Sequence, residues 1–318
     1  MGATPRLTDV PGLTVGHVTH AAEGTGCTVV LGPPEGMRAG AHLRGRATGT
    51  REFDVLSPRH LVEHIHGLLL TGGSAYGLGA ADGVMRWLRE RERGFPVGVG
   101  VVPIVPAAVV FDLGPIGAAD RWPGPEDGYA ACEAAGVDVA EGSVGAGTGA
   151  TVGKALGIDH AMKGGVGTWA LRHGDLVVGA LAVVNAFGDV RDERGAVIAG
   201  ARSASGHADA RARLAEGMGG GEAFRGGNTT LVVVGTNAPL TRMDLAEVAR
   251  GAADALAFRI APVGTRVDGD IVFAVSPGGG PDAGALQVEL MAQDAVAAAL
   301  ERAVRMARGT PAVPGLAD

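Results

Sequence analysis

The chain predicts a layered α+β sandwich, and three observations carry that expectation. Candidate strands and candidate helices arrive in blocks, without the regular βαβ alternation of a doubly wound sheet. Hydrophobic residues make up 46% of the 318 positions, ample for a real core. Aromatics are only 4% while glycine reaches 55 residues, so the core has to be built from Val, Ala, Leu and Ile in layers whose backbones approach closely.

The elements follow in order. "LTVGHVTH" and "GCTVVL", within 13–31, read as two short β-rich runs joined by a glycine-containing turn. A short helix is expected over 58–66, then a strand at "GLLLTGG", a glycine turn, and an amphipathic helix from Ser74 to Arg93. "FPVGVGVVPIVPAAVVFDL" (95–113) is β-branched but broken by Pro103 and Pro106, which suits irregular or edge strands. Residues 121–137 read as a Pro/Gly loop with a small helix, 142–157 are glycine-dense, and 176–190 form a strongly apolar strand. The polar, Gly-rich stretch 200–228, including "EGMGGGEAFRGGN", is the best candidate for an exposed linker. Beyond it come a strand at 229–236, a helix at 241–258 with Asp244 in its first turn, a strand at 270–276 and a long amphipathic helix at 286–308.

Charge narrows the partners. The net charge is −7, and of 27 basic residues only Lys154 and Lys163 are lysines. No basic stripe or aromatic-interleaved cluster stands out, so nucleic acid is not an expected partner. "MGATPRLTDVPGLTVG" lacks the features of a secretory signal, and no run of about 20 apolar residues suggests a membrane span. Cys27 and Cys132 are too few for a disulfide framework, and a cytoplasmic location is expected.

Two stretches could carry chemistry. "GGNTTLVVVGTNAP" (Gly226 to Pro239) reads most simply as a glycine turn feeding a buried strand. It also suits a bond built to break: if the Thr229 hydroxyl attacked the Asn228 carbonyl, the new chain would begin with a threonine bearing both a nucleophile and a free amine. An α-amino group titrates near about 8, so a useful fraction is neutral and can take the hydroxyl proton, directly or through water. Glycines at 226 and 227 would permit a strained junction, and "TLVVV" would hold the new terminus in a sheet. The rival is "HLVEH", His60 to His64, an inverted zinc-peptidase pattern with both histidines on one helical face, Glu63 as base and Glu141 as a possible third ligand. Glu141 lies in glycine-rich "AEGSVGAG", without helical context to aim it, and His17 and His20 complete no ligand set.

"GGNTTLVVVGTNAPL", "LVEHIHGLLLTGGSAYGL", "VPAAVVFDLG", "GAGTGATVGK", "GALAVVNAFGDV" and "VDGDIVFAV" together resemble, in kind and in order, the self-processing aminopeptidase family. That family includes L-aminopeptidase/D-esterases, β-peptidyl aminopeptidases and the nylon-oligomer endohydrolase, whose junction the Asn-Thr-Thr step looks most like. The resemblance implies a four-layer αββα sandwich of the N-terminal-nucleophile type, one domain over 1–318, and autocleavage into 1–228 and 229–318. It further implies hydrolysis of short peptides, amino-acid amides or esters, or amide oligomers, with no cofactor and no metal, in a homo-oligomer of cleaved protomers. A self-cleaving acyltransferase would share the nucleophile and prefer an amine acceptor to water.

The same resemblance assigns roles. Thr229 matches the nucleophile and Asn228 the residue cut after. Asn185 matches an asparagine whose amide donates to the tetrahedral oxyanion, typically worth roughly 3 kcal/mol of barrier. Lys154 matches a lysine whose charge favours the developing alkoxide and keeps the amine neutral. "GTGATVGK" is a poor phosphate loop, since that pattern needs Gly at Thr148 and Ser or Thr at Ala155. Asp268 and Asp270 match a pair that orients the new ammonium or relays protons, although "DGD" alone reads as a tight turn before a strand and lacks the remaining ligands of a calcium loop. Phe111 stands where several members carry tyrosine, so a hydroxyl is missing from the substrate site. Tyr76 is the candidate to line the pocket instead, or else it packs at a helix start.

Overall fold

Which side chains alternate along the strands sorts the molecule into layers. The computed structural model describes residues 4–114, 116–217 and 227–318. Five strands form one sheet in the order Thr14–His20, Thr25–Leu31, Gly67–Thr71, Ala107–Val109, Thr50–Arg51. Six form a second in the order Gly165–His173, Leu176–Asn185, Thr229–Thr236, Ile271–Ser276, Met37–Leu43, His64–Ile65. Along Leu176–Asn185, Val177, Leu181 and Val183 enter the core between the sheets, where they meet Leu68, Leu70, Leu231, Val233 and Phe273. Val178, Ala180, Ala182 and Val184 belong instead to the core that holds Val248, Ala249, Val288, Ala292, Val296 and Leu300 of the helices Arg242–Ala252 and Ala285–Arg305. On the far side, Val29, Leu31 and Leu69 pack with Ala80, Val84 and Leu88 of the helix Ala80–Glu90 and with Ala131 and Cys132 of Pro125–Glu133. The order is helices, sheet, sheet, helices, the expected αββα sandwich.

Strands covered on both faces read as continuous apolar runs, and every residue of Leu176–Asn185 and Thr229–Thr236 is buried. Small residues let the layers close up. A Cβ on Gly167 would lie 2.1 Å from the Ala299 carbonyl oxygen, so the helix Ala285–Arg305 can reach the strand Gly165–His173 only over a glycine. The helix Arg242–Ala252 begins with a reciprocal cap: Asp244 N–H donates to the Thr241 hydroxyl oxygen, and Thr241 N–H to the Asp244 carboxylate.

Several expected elements are split. The helix over Ser74–Arg93 is a single turn, Ser74–Gly77, followed by Ala80–Glu90, and the one over 241–258 is Arg242–Ala252 followed by Asp254–Arg259. The strand expected through 190 stops at Asn185, and Asp189–Arg191 belongs to another sheet. Within 200–217 lie a two-stranded pair, Arg202–Ser203 with Gly206–His207, and a helix, Ala210–Ala215. The rest of the expected linker, Met218 to Gly226, lies outside the described residues.

The helix expected over 58–66 is replaced by turns leading into the strand His64–Ile65, which pairs with Met37 and Arg38. The reason lies far along the chain. The Arg242 guanidinium donates to the carbonyls of Ser57, Pro58 and Val62, each at 3.0 Å, and also to that of His60. Carbonyls that a helix would bind internally are gathered onto one side chain instead.

Candidate active site

The pairing of Leu176–Asn185 with Thr229–Thr236 ends at one rung, Asn185 opposite Thr229. Thr229 Oγ1 donates to the carbonyl oxygen of Asn228 at 2.7 Å. That oxygen also accepts the Gly269 N–H at 2.6 Å. The bond before Thr229 therefore has a hydroxyl against it and an N–H donor on the oxygen where negative charge would develop during attack.

The turn carrying Gly269 is held on both sides. Asp268 accepts Thr265 N–H on its carboxylate at 2.8 Å, and its carbonyl accepts the Arg46 and Ala47 N–H groups at 2.7 and 2.9 Å. Asp270 accepts Thr230 N–H at 2.7 Å on one carboxylate oxygen and Gly264 N–H at 3.1 Å on the other. A Cβ on Gly269 would lie 2.6 Å from the Ala47 carbonyl oxygen and 2.7 Å from Thr229 Oγ1, so only glycine lets this turn press against the hydroxyl. "DGD" is thus the tight turn its composition suggests, and it is also what braces Thr229 and Thr230.

Asn185 joins the other wall. Its Oδ1 accepts Lys154 Nζ at 2.7 Å and Thr151 N–H at 3.0 Å, and Lys154 Nζ donates again to the Asn185 carbonyl at 3.1 Å. Its Nδ2 donates to the carbonyl of Phe111 at 3.0 Å and, more weakly, to that of Gly227 at 3.4 Å. With both of its oxygen's partners fixed, the amide's orientation is fixed too. The donor proposed for an oxyanion thus spans two backbone carbonyls on the Asn228 side of the junction.

Thr229, Asn185, Lys154, Asp268 and Asp270 are all buried, a low-dielectric setting for the charged groups among them. Burial lowers the Lys154 ammonium to about 7, opposed by the charges of Asp268, Asp112 and Asp270. Burial raises Asp270 to about 7, helped by the Asp268 charge, and burial raises Asp268, opposed by its Thr265 hydrogen bonds and the charge of Lys154. Lys154 and Asp270 therefore change protonation near neutral pH, a common property of catalytic clusters.

The remaining expected site residues are placed less centrally. Phe111 contributes its carbonyl to Asn185, and its side chain packs on Gly227, where a Cβ would lie 2.3 Å from the Phe111 Cβ. Tyr76 is 62% exposed and stacks on Trp122, with ring centroids 4.5 Å apart. Gly226 lies outside the described residues. The zinc pattern loses its premise, because His60 and His64 share no helical face. His60 Nδ1 accepts Val62 N–H, and Glu141 is bound to Arg302 and to Thr168 N–H. Among the described residues no group of three or more His, Cys, Asp or Glu could hold a metal ion.

Three groups near the junction were not singled out as site residues in the sequence. Gly269 is invisible as a donor, because a backbone N–H leaves no side-chain signature. Asp112 accepts Gly73 N–H at 2.6 Å and the Thr25 hydroxyl at 2.8 Å, directly after the Phe111 carbonyl that Asn185 uses. Lys163 is fully buried beside the loop that leads to Lys154, and its signal was available in being the chain's other lysine.

Known proteins resemble this chain over most of its length. Residues 5–310 match the family described as Peptidase family S58. An uncharacterized aminopeptidase of Mycobacterium tuberculosis is 44% identical over 319 residues, covering 92% of this chain and 89% of that protein. A 6-aminohexanoate-oligomer endohydrolase of Kocuria sp. is 30% identical over 275 residues, covering 84% of this chain and 74% of that protein. Among solved structures, the L-aminopeptidase D-Ala-esterase/amidase of Ochrobactrum anthropi, described as a variant of the Ntn hydrolase fold, superposes with a TM-score of 0.73 at 21% identity, covering 100% of this chain and 93% of that one. A β-aminopeptidase of Burkholderia sp. gives 0.69 at 21% identity, covering 100% and 91%. At that identity the two structures speak for the fold, an αββα sandwich of the N-terminal-nucleophile type. No helix among the described residues is long and apolar enough to cross a membrane.

Proposed function

This chain belongs to peptidase family S58, a family of aminopeptidases and amide hydrolases, and on that premise we propose that it matures by cutting Asn228–Thr229 and then uses Thr229 as its nucleophile. The observation that carries this reading is the Asn228 carbonyl oxygen, which accepts both Thr229 Oγ1 and the Gly269 N–H. In the first reaction Thr229 Oγ attacks the Asn228 carbonyl carbon, and Gly269 stabilises the oxyanion. The C–N bond breaks as the nitrogen gains the proton the hydroxyl has given up, leaving an ester. Water hydrolyses that ester to the Asn228 carboxylate, the Thr229 hydroxyl and a free α-amine.

The second reaction reuses the hydroxyl. The α-amine accepts its proton, directly or through water, as Oγ attacks a substrate carbonyl. Lys154, in its ammonium form, favours the alkoxide and lowers the proton affinity of the amine, while Asp268 and Asp270 hold the turn and relay protons. Asn185 Nδ2, held in the same orientation, donates to the substrate oxyanion. The leaving amine takes a proton, the acyl-enzyme forms, and water releases the product. Short peptides, amino-acid amides or esters, and amide oligomers are the substrate class, with Phe111 and Tyr76 on the substrate side. Intact mass with N-terminal sequencing tests the reading: a small chain beginning Thr-Thr-Leu-Val is expected, and a persistent full-length chain under active conditions overturns it.

A further inference from the structure

Lys163 is a charged side chain that the proposed reaction leaves unused. It is 1% exposed, on the short strand Met162–Lys163, directly opposite Thr151 of the strand Thr151–Val152. Its Nζ donates to the carbonyls of Thr148 at 2.7 Å and Ala150 at 2.9 Å. An apolar side chain could fill this space without the desolvation cost of an ammonium, so its two bonds need a purpose beyond packing.

The second of those carbonyls supplies one. Ala150 C=O and Thr151 N–H are opposite ends of a single planar peptide unit. Lys163 and Gly164 N–H both hold the oxygen end, each at 2.9 Å, and the N–H end donates to Asn185 Oδ1 at 3.0 Å. A cation on the carbonyl polarises the peptide and strengthens its N–H as a donor. The same Oδ1 takes Lys154 Nζ, so the Ala150–Thr151 peptide and Lys154 together set which way the Asn185 amide faces.

We propose that Lys163 is a positioning residue for the reaction: through the Ala150–Thr151 peptide it locks the Asn185 amide with Nδ2 turned toward the acyl side of the junction. The inference rests on the Thr229 reading above. Lys154 is faced by the carboxylates of Asp268, Asp112 and Asp270 and by the Lys163 ammonium, and the last of these opposes its protonation. Lys163 itself is held to about 7 by burial, opposed by the Asp112 charge.

The test compares Lys163→Met with the parent for self-cleavage, kcat, KM and the pH dependence of turnover. A misplaced Asn185 predicts a drop in kcat of roughly tenfold to a hundredfold, with KM held to within about twofold. Removal of the neighbouring charge predicts that the limb on which turnover falls as Lys154 loses its proton moves to higher pH by about half a unit or more. A purely structural lysine would not shift that limb. Lys163→Gln, which keeps polarity without charge, is expected to show the same pH displacement with a smaller fall in kcat. Unchanged kcat and pH profile in both variants overturn the proposal, and so does failure of both to fold, since a positioning lysine leaves the fold standing. Thr229→Ala separates the two readings: turnover surviving there sinks the nucleophile assignment, whereas an inert Thr229→Ala beside an unaltered Lys163→Met sinks only this one.

Discussion

Asn185 and Thr229 close the last rung between two central strands, so the residue that would stabilise an oxyanion and the residue that would create it are fixed by one backbone pairing. Such geometry needs no flexible loop to assemble it. Its rigidity comes from strands buried along their whole length between a helical layer and the second sheet.

Replacing Thr229 with alanine removes both nucleophile and cleavage chemistry. The variant is expected to remain a single full-length chain by mass spectrometry, with turnover of amino-acid p-nitroanilides reduced by roughly 10⁴-fold or more. Thr229→Ser retains a hydroxyl on the same strand and should cleave and turn over, more slowly because the β-methyl that restricts its rotamer is gone. Cleavage in the alanine variant would disprove the assignment.

Asn185→Ala is expected to lower kcat by roughly a hundredfold to a thousandfold. Lys154 would lose the Oδ1 acceptor while keeping the Asn185 backbone carbonyl, so the lysine should stay in place. Steady-state kinetics on the purified variant would decide it, and a kcat within about threefold of the parent would refute an oxyanion role.

The turn at Gly269 makes a steric prediction. Gly269→Ala brings a methyl to 2.7 Å from Thr229 Oγ1 and 2.6 Å from the Ala47 carbonyl, so the turn must retreat and carry the Gly269 N–H away from Asn228. Self-cleavage followed over time by denaturing gel should slow by roughly a hundredfold, the penalty for a displacement of about 1 Å. Gly136→Ala, whose Cβ meets nothing within 4 Å, is the control expected to process normally.

How much of this was legible in the sequence depends on what carries the information. Thr229, Asn185, Lys154, Asp268 and Asp270 could be named in advance because their side chains sit in motifs with a recognisable order, and the structure gathers all five around one junction. The strand at 229–236 was plain because its apolar centre, "LVVV" at 231–234, fits a strand covered on both faces. Gly269 and the Ala150–Thr151 peptide act through backbone groups that every residue possesses, so no residue type announces them. The helix at 58–66 failed because Arg242, about 180 positions later, takes its carbonyls, a long-range effect no local window contains.

Turnover should follow a bell, rising on the acid side as the α-amine becomes neutral and falling on the alkaline side as Lys154 loses its proton. The Lys154 ammonium, lowered to about 7 by burial, is present below that value and lost above it, so a reaction that uses the cation declines on the alkaline side. Asp270, raised to about 7, changes in the same range, and an ionised Asp270 strengthens the lysine's hold on its proton. Lys154→Met should remove the alkaline limb and lower the plateau, as measured by kcat/KM across pH 5 to 10. An alkaline limb unchanged in Lys154→Met would assign that titration to another group.

Cleaved halves should not part. The sheet order places Thr229–Thr236 and Ile271–Ser276 side by side in the middle, with Leu176–Asn185 on one flank and Met37–Leu43 on the other. A cut before Thr229 therefore leaves both strands of the 229–318 chain hydrogen-bonded on their outer sides to the 1–228 chain. The helix Ala285–Arg305 also packs against Gly165–His173 and Leu176–Asn185, adding apolar contact between the two products. Separation would expose the edges of two central strands and the faces of both sheets to water. Processed protein is thus expected to run as two bands on a denaturing gel and as one species by native size exclusion, both chains remaining together through dilution to about 10 nM, as befits an obligate interface. Dissociation of active protein into separate chains at that concentration would contradict the interleaved sheet.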